Sequence, residues 1–280
     1  VAKRHTSSAS VKSQRACWHR QVPDQRSRRV YCNCMKTTHI LDKLESIGVP
    51  KESIIKGDFD YIGEYTAKRS RNHDDPNFKH GAFYRSNYER GILIYNLIRK
   101  FNLDSFLEIG FGRGYGTFCA AKAFYDSGKS FSRDRIITID PALEKQNIEA
   151  LQNVFPKEWF DYISFYKGFS KDVLPTLEGK KFGLVYIDGD HSYVGTKSDW
   201  EMTKGLYEKF MLFDDYHLPS KVDKGTIECS KLIDEIVDET KELIITDRRI
   251  FHDDRQVKDE DVNYGQVLLT KGVQVTRDDW

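Results

Sequence analysis

The 280-residue sequence lacks several features that would assign it to a particular class of protein. It has no apolar run near the roughly 18 residues that a membrane-spanning helix needs. Its five cysteines are an odd, scattered number and do not form the framework of a small disulfide-stabilised domain. The 44 basic and 43 acidic residues leave almost no net charge. These absences exclude a transmembrane protein and a disulfide scaffold, and the cysteine usage favours a reducing compartment, the cytoplasm.

The charge is nevertheless unevenly distributed along the chain. Residues 1–34 contain eight Lys or Arg and a single acid, a net charge of +7, whereas residues 35–280 contain 36 basic and 42 acidic residues, a net charge of −6. Phosphate groups are neutralised by Lys and Arg, so a nucleic-acid partner would have to bind the N-terminal segment. We expect no nucleic acid and no membrane as a partner of the rest of the chain.

The N-terminal segment 1–34 is rich in Ser and Arg and has no apolar periodicity. Such a sequence cannot offset the entropy cost of ordering itself, and we predict that it is a disordered basic tail. Two origins stay open. The segment belongs to the natural protein, or the protein begins at Met35 and the preceding residues are upstream or vector-derived sequence.

Residues 35–87 are predicted to form a helical and loop-rich lead-in to the main domain. An amphipathic helix over 38–47 ends at Gly48, and residues 56–86 are polar and aromatic with several turn-forming residues. We interpret 56–86 as a lid. The main domain is predicted to be 88–280.

In the main domain, short apolar runs alternate with amphipathic stretches. The runs predict strands at 105–109, 135–140, 163–166, 182–188, 211–214, 241–246 and 265–270. The amphipathic stretches predict helices at 88–101, 115–126, 143–155, 170–177 and 193–210. This alternation is typical of a Rossmann-like, doubly wound α/β fold with a mostly parallel sheet. The last two strands leave no room for a helical crossover, so we expect an antiparallel pair that completes a seven-stranded sheet.

A glycine-rich turn, EIGFGRGYG at 108–116, follows the first of these strands. Glycines let the backbone approach a ligand closely and leave the amides of the next helix pointing at it. The Gly-x-Gly-x-Gly spacing differs from the dinucleotide pattern Gly-x-Gly-x-x-Gly, which would need glycine in place of Tyr115. The other interpretation is a turn that only shapes the corner between strand and helix.

Asp140 ends the second predicted strand and precedes Pro141. In doubly wound folds an acid at this strand end accepts hydrogen bonds from a ribose. Together with Glu108 in the glycine turn, it suggests a nucleoside ligand without a pyrophosphate. The alternative is that Asp140 only caps the following helix.

At this point the sequence resembles a known family. It contains, in order, FLEIGFGRGYGT, ITIDP, GFSKDVLPTL, YIDGDHSYVGTKSDWE and FDDYH. This order is similar to class I S-adenosylmethionine-dependent methyltransferases, and the DGDHSY motif resembles the metal-dependent sugar and natural-product O-methyltransferases. The resemblance covers 88–270. The sequence departs from the family pattern at two places: residues 207–211 lack the usual Pro-Gly-Gly, and residues 126–134 form an insertion. The identity of the methyl acceptor therefore cannot be inferred from relatives.

The resemblance implies eight cofactor-binding residues. They are Gly110, Gly112 and Gly114 along the methionine part of S-adenosylmethionine, Glu108 beneath it, Asp140 at the ribose hydroxyls, Phe169 and Ser170 beside the adenine, and Asp188, which also belongs to the implied metal site.

The resemblance also implies that Asp188, Asp214 and Asp215 bind a metal, with Asp190 or His191 as the catalytic base. Because parallel strands end at the same edge of a sheet, these carboxylates should converge, and they would repel one another without a cation between them. A hard divalent ion, Mg²⁺, suits oxygen ligands. The alternatives are that Asp188 or Asp190 caps a helix and that His191 is structural.

Three functions are compatible with these residues. The first is an O-methyltransferase acting on a hydroxyl of a small molecule, a sugar or natural product. The second is an NAD-dependent oxidoreductase, although Tyr115 interrupts the pyrophosphate-binding pattern. The third is a non-catalytic nucleoside-binding module on the same fold. A homo-oligomer is compatible with all three.

Overall fold

The computed structural model describes residues 35–49, 88–153, 155–217, 228–237, 239–245 and 264–271. The predicted tail at 1–34 and the predicted lid at 56–86 lie outside these residues. No helix within the described ranges is both long and apolar enough to cross a membrane.

The described strands form one eight-stranded sheet in the order β1-β7-β8-β6-β5-β2-β3-β4. The strands are β1 Lys36–His39, β2 Phe106–Ile109, β3 Ile136–Asp140, β4 Ile163–Lys167, β5 Phe182–Ile187, β6 Tyr207–His217, β7 Thr240–Ile245 and β8 Tyr264–Thr270. Strand β8 runs antiparallel to β6 and β7, and the other neighbouring strands are parallel. The predicted Rossmann-like, mostly parallel sheet with an antiparallel closing pair is confirmed.

Helices cover both faces of this sheet. They are α1 Ile40–Ser46, α2 Tyr88–Lys100, α3 Tyr115–Asp126, α4 Lys145–Gln152, α5 Lys157–Phe160, α6 Ser170–Val173, α7 Tyr193–Thr203 and α8 Cys229–Glu235, with short 3₁₀ turns at Arg133–Arg135 and Leu174–Leu177. Side chains alternate between the faces along each strand, so Phe106 belongs to one buried cluster and Leu107 to the other. The core therefore has two layers, one on each side of the sheet.

Strand β1 was not predicted, and the sheet has eight strands instead of seven. Its sequence, Lys-Thr-Thr-His, has no apolar residue, so it gives no strand signal. The strand pairs with β7 and is fixed there by Glu242, which accepts a hydrogen bond from Thr38 Oγ1 at 2.5 Å and pairs with Lys43 Nζ at 2.6 Å. Its place in the sheet is decided by a residue about 200 positions away along the chain.

The predicted helix over 193–210 is wrong in its second half. Helix α7 ends at Thr203, and β6 begins at Tyr207, four residues earlier than predicted. The run from Tyr207 to Met211 contains apolar residues at a spacing that also fits a helix. In the structure Tyr207 pairs with Phe182 of β5, so a partner strand decides the conformation.

The register of the central strands aligns their carboxyl ends. Ile109 of β2 pairs with Ile187 of β5, Ile187 pairs with Phe213 of β6, and Phe213 pairs with Val267 of β8. The residues that follow β2 and β5, and the end of β6, therefore meet at one edge of the sheet. We call this edge, where the glycine turn and the Asp188 loop lie, the carboxyl edge.

Gln266 of β8 is fully buried near the carboxyl edge, and among the residues that the structure describes neither its side-chain oxygen nor its nitrogen has a hydrogen-bond partner. A buried polar group without a partner costs about 1–3 kcal/mol. We therefore predict that Gln266→Met, which keeps the length and removes the polar atoms, raises the free energy of unfolding by about 1–2 kcal/mol in urea titrations. Gln152→Met, at an exposed position of α4, is the matched control and should change stability by less than about 0.5 kcal/mol. A lower stability of Gln266→Met would contradict this.

Candidate active site

The glycine turn brings the end of β2 against the start of the loop after β5. Gly110 has φ +93°, and a Cβ atom there would lie 2.1 Å from the backbone oxygen of Asp188. Gly114, with φ +89°, forms the left-handed cap before α3. Gly112 has φ +50°, and a Cβ there would meet no atom within 4 Å. The turn is thus packed tightly on its inner side and open above Gly112.

Glu108 lies beneath the glycine turn and is almost fully buried. Its carboxyl group accepts hydrogen bonds from the hydroxyls of Thr117 on α3 and Thr138 on β3. A Cβ at Gly116 would come within 2.3 Å of its Oε1. Burial raises the pKa of Glu108 to about 8, so this group ties β2, β3 and α3 together without a full negative charge at neutral pH.

Asp140 fastens the glycine turn to the end of β3. Its two carboxylate oxygens accept the N–H groups of Gly112, at 2.8 Å, and Ala142, at 2.7 Å. Helix α4 begins only at Lys145, with Glu144 at its N-cap, so Asp140 does not cap that helix. A carboxylate has about four lone-pair positions, and acceptor capacity therefore remains for ribose hydroxyls.

The loop that precedes α6 lies beside Asp140. The N–H of Gly168 donates to the backbone oxygen of Asp140 at 3.3 Å. Phe169 is 59% exposed, unusual for a large aromatic side chain. Ser170, the first residue of α6, donates its hydroxyl to Asp199 of α7. The structure thus places the two predicted adenine-binding residues near the predicted ribose-binding residue.

Asp188, His191 and Asp215 form the candidate metal-binding cluster of the described residues. One ligand atom from each lies within 4.8 Å of the others. His191 Nδ1 is 2.9 Å from Asp215 Oδ2, and His191 Nε2 is 3.8 Å from Asp188 Oδ1. Asp215 has φ +55° and lies where the register of β6 against β8 shifts. The Tyr186 hydroxyl donates to Asp188 Oδ2 at 3.1 Å.

His191 carries the positive charge of this cluster. The hydrogen bond to Asp215, together with a contact to Cys229, raises the pKa of His191 to about 11. Protonated imidazole therefore offsets the repulsion between the two carboxylates at neutral pH. Cys229, the first residue of α8, donates its thiol to the backbone oxygen of Asp215 at 3.2 Å.

Two of the predicted site residues lie apart from this cluster. Asp214 is buried, 3% exposed, and does not belong to the group of three ligands. Asp190 is exposed, and its Oδ1 accepts the N–H of Ser192 at 2.9 Å. A Cβ at Gly195 would lie 2.3 Å from the Asp190 carboxyl carbon. Asp190 is therefore packed against the start of α7, which supports the interpretation that it shapes this turn.

Three residues of the site were missed by the sequence reasoning. Tyr186 lies within a predicted strand and opens the quoted run YIDGDHSYVGTKSDWE, but its position in a strand is also that of a core residue. Cys229 lies in α8, which was not predicted. Asp199 is part of the quoted run YIDGDHSYVGTKSDWE, so its charge within an otherwise buried helix face was the one available signal.

The comparisons with known proteins agree with this geometry. Residues 107–216 match the family model Methyltransf_24, described as a methyltransferase domain. This segment is similar to a methyltransferase domain over 107–216. The matched segment includes every predicted cofactor, metal and base residue of the domain. No curated protein matches the chain at significant sequence similarity.

Several solved structures share the fold of this chain. The O-methyltransferase TomG from Streptomyces achromogenes, in complex with S-adenosylmethionine, is 18% identical with a TM-score of 0.54, over 82% of this chain and 97% of its own. The cofactor-bound protein Rv0187 from MTB is 15% identical with a TM-score of 0.52, over 83% and 97%. A putative O-methyltransferase from Klebsiella pneumoniae is 15% identical with a TM-score of 0.50, over 82% and 95%. The chain therefore shares its fold with these structures, and that fold is the Rossmann-like one that the sequence predicted.

The close approach at Gly110 gives a prediction for the stability of the protein. Gly110→Ala places a methyl group on the Asp188 carbonyl and forces alanine into a left-handed conformation, so we expect a loss of more than about 3 kcal/mol in unfolding free energy. Gly128→Ala is the control, because Gly128 also has a positive φ of +64° but a Cβ there meets nothing within 4 Å. It should cost about 1 kcal/mol. Equal losses in urea denaturation would contradict the role of the Asp188 contact.

Proposed function

We propose that the protein is an S-adenosylmethionine-dependent O-methyltransferase that methylates a hydroxyl of a small molecule, a sugar or natural product, with the help of a divalent cation. The observation that carries this proposal is the Asp188–His191–Asp215 cluster, placed next to the glycine turn of a methyltransferase domain. TomG, which shares the fold, is an O-methyltransferase with S-adenosylmethionine bound. A methyltransferase domain with such a cluster is suited to activating an oxygen acceptor.

The cofactor would bind along the inner end of the carboxyl edge. Gly110, Gly112 and Gly114 would line its methionine part, above Glu108. Asp140 would bind the ribose through the lone pairs not used by Gly112 and Ala142. The exposed ring of Phe169 would stack on the adenine, with Ser170 beside it. When bound, S-adenosylmethionine supplies an activated methyl group, so the protein has only to align and deprotonate the acceptor.

The donor set of the cluster fits a divalent cation. Two carboxylates and an imidazole within 4.8 Å are ligands that Mg²⁺ or Mn²⁺ accepts. We propose Asp188 and Asp215 as the ligands, with Asp214 buried behind them. A bound cation would supply a Lewis acid that orients the acceptor and lowers the pKa of its hydroxyl. It would also replace the positive charge that protonated His191 now provides between the carboxylates.

His191 is the better candidate for the base. Its ring is held by Asp215 and turned toward the cluster, with Nε2 near Asp188. A cation held by Asp188 and Asp215 would lower the pKa of His191, and the neutral ring would then accept the hydroxyl proton. Asp190 is instead turned toward the amide of Ser192 and the start of α7. We therefore propose that His191 removes the proton and that Asp190 stabilises the turn before α7.

The alternative functions are less well supported. An NAD-dependent oxidoreductase would need a pyrophosphate site, and Tyr115 occupies the third glycine position of that pattern. A non-catalytic nucleoside-binding module would not need the cluster of Asp188, His191 and Asp215.

The cofactor assignment predicts that the protein binds S-adenosylhomocysteine and not NAD in calorimetric titrations. Asp140→Ala should weaken S-adenosylhomocysteine binding about 10- to 100-fold, because it leaves hydroxyls unpaired and releases the Gly112 amide. Asp140→Asn keeps an acceptor oxygen and should lose less. Unchanged affinity in a folded Asp140→Ala variant would remove Asp140 from the site.

The metal assignment predicts that EDTA abolishes methyl transfer to a panel of hydroxylated sugars and phenols, while S-adenosylhomocysteine binding stays within about threefold. Asp215→Asn should weaken Mn²⁺ binding, measured directly by calorimetry, and excess cation should partly restore turnover. Full activity of protein shown to be metal-free by elemental analysis would overturn the assignment.

The base assignment predicts opposite results for two neighbouring residues. His191→Gln should lower kcat by about 10²- to 10⁴-fold with Mn²⁺ affinity nearly unchanged, since a general base contributes about that factor. Asp190→Asn keeps the oxygen that accepts the Ser192 amide, so kcat should stay near that of the wild type. The reverse pattern would make Asp190 the base, and a loss of Mn²⁺ affinity in His191→Gln would make His191 a ligand.

A further inference from the structure

Helix α7 contains a buried carboxylate that neither the proposed metal site nor the proposed base uses. Asp199 is only 3% exposed, and among the described residues no Lys, Arg or His pairs with it. An aspartate is rarely buried without a charged partner, because its desolvation is costly. Burial accordingly raises the pKa of Asp199 to about 6. An apolar side chain at this position would pack in the core without the desolvation cost of a carboxylate.

The contacts of Asp199 connect the two sides of the candidate active site. One oxygen accepts the hydroxyl of Ser170, the residue that follows the exposed Phe169. The other oxygen faces Gly189, in the loop between Asp188 and His191, where a Cβ would lie 3.5 Å from Oδ2. Asp199 therefore lies beneath the adenine-side loop at 168–170 and beside the loop that carries the metal cluster.

The hydrogen bond from Ser170 to Asp199 also limits the hydrogen bonds that the Ser170 hydroxyl can make with a ligand. A hydroxyl has one proton, and in Ser170 this proton is given to Asp199. The Ser170 side chain is thereby held in one rotamer, and its oxygen keeps only acceptor capacity toward the surface. The loop at 168–170 is short, so a fixed Ser170 restricts the neighbouring Phe169 as well.

We propose that Asp199 is a positioning residue for cofactor binding, which holds Ser170, and with it Phe169, in the orientation that receives the adenosine part of S-adenosylmethionine. This inference rests on the proposed function, because it requires that the loop at 168–170 binds the cofactor. It adds a residue that does not touch the ligand and whose buried charge is explained by that task.

The test compares S-adenosylhomocysteine affinity with stability in the full-length protein. Asp199→Leu removes a buried carboxylate, so its unfolding midpoint in urea should equal or exceed that of the wild type, while S-adenosylhomocysteine binding weakens about tenfold or more. Asp199→Asn keeps an oxygen that accepts the Ser170 hydroxyl, and its affinity should stay within about threefold of the wild type. A purely structural residue would not lose ligand affinity while its stability is kept.

Two further variants complete the design. Ser170→Ala should weaken binding as much as Asp199→Leu, and the double variant should be no weaker than either single one, since both remove the same interaction. Thr203→Val is the matched control, because Thr203 is also buried in α7 and its hydroxyl donates to the Asp199 backbone oxygen at 2.6 Å. It should alter stability and leave S-adenosylhomocysteine affinity unchanged.

The outcomes separate this inference from the proposed function. If the wild type does not bind S-adenosylhomocysteine, the proposed function fails and the inference fails with it. If the wild type binds it, and a folded Asp199→Leu or Ser170→Ala variant binds it equally well, only the inference is overturned. If Asp199→Leu loses affinity and stability together and Asp199→Asn does not recover either, Asp199 is a structural residue and the inference is also overturned.

Discussion

Repulsion between carboxylates is the constraint on which the carboxyl edge of this sheet depends. The strand ends bring several acids into a small, partly buried region, and the partners that stabilise them differ along the edge. Glu108 is buried with a raised pKa. Asp140 accepts two backbone amides. Asp188 and Asp215 share the charge of His191. The edge is stable because each of these carboxylates has a compensating partner or a raised pKa.

This division also separates the tasks of the site. The acids near β2 and β3 are compensated by hydroxyls and amides, which form a polar surface of the type that a nucleoside needs. The acids after β5 and in β6 are compensated by an ionisable imidazole, which a cation or a proton transfer can change. The inner part of the edge is therefore suited to binding, and the outer part to chemistry.

Elements whose conformation is set by nearby residues could be predicted from the sequence. Elements whose conformation is set by pairing with distant strands could not. The bounds of α3 were predicted correctly because glycines and a strong apolar pattern mark both its ends. Strand β1 and the start of β6 were missed because their conformation is decided by partner strands. The motif placed Asp188, Asp190 and His191 within four residues of one another, but only the three-dimensional turn at Ser192 shows that Asp190 and His191 face different surroundings.

The position of β8 has a consequence for how the chain acquires its structure. This strand follows the other described strands in sequence, yet it lies between β6 and β7 in the sheet. Until residues 264–270 leave the ribosome, β6 lacks its outer neighbour, and β7 with β1 has no strand through which to join the sheet. Unpaired strand edges promote association with other chains, and late, long-range pairing slows folding. Nascent chains that stop short of β8 should therefore be strong clients of chaperones, although the glycine turn and the loop that carries Asp188 and His191 have already been synthesised.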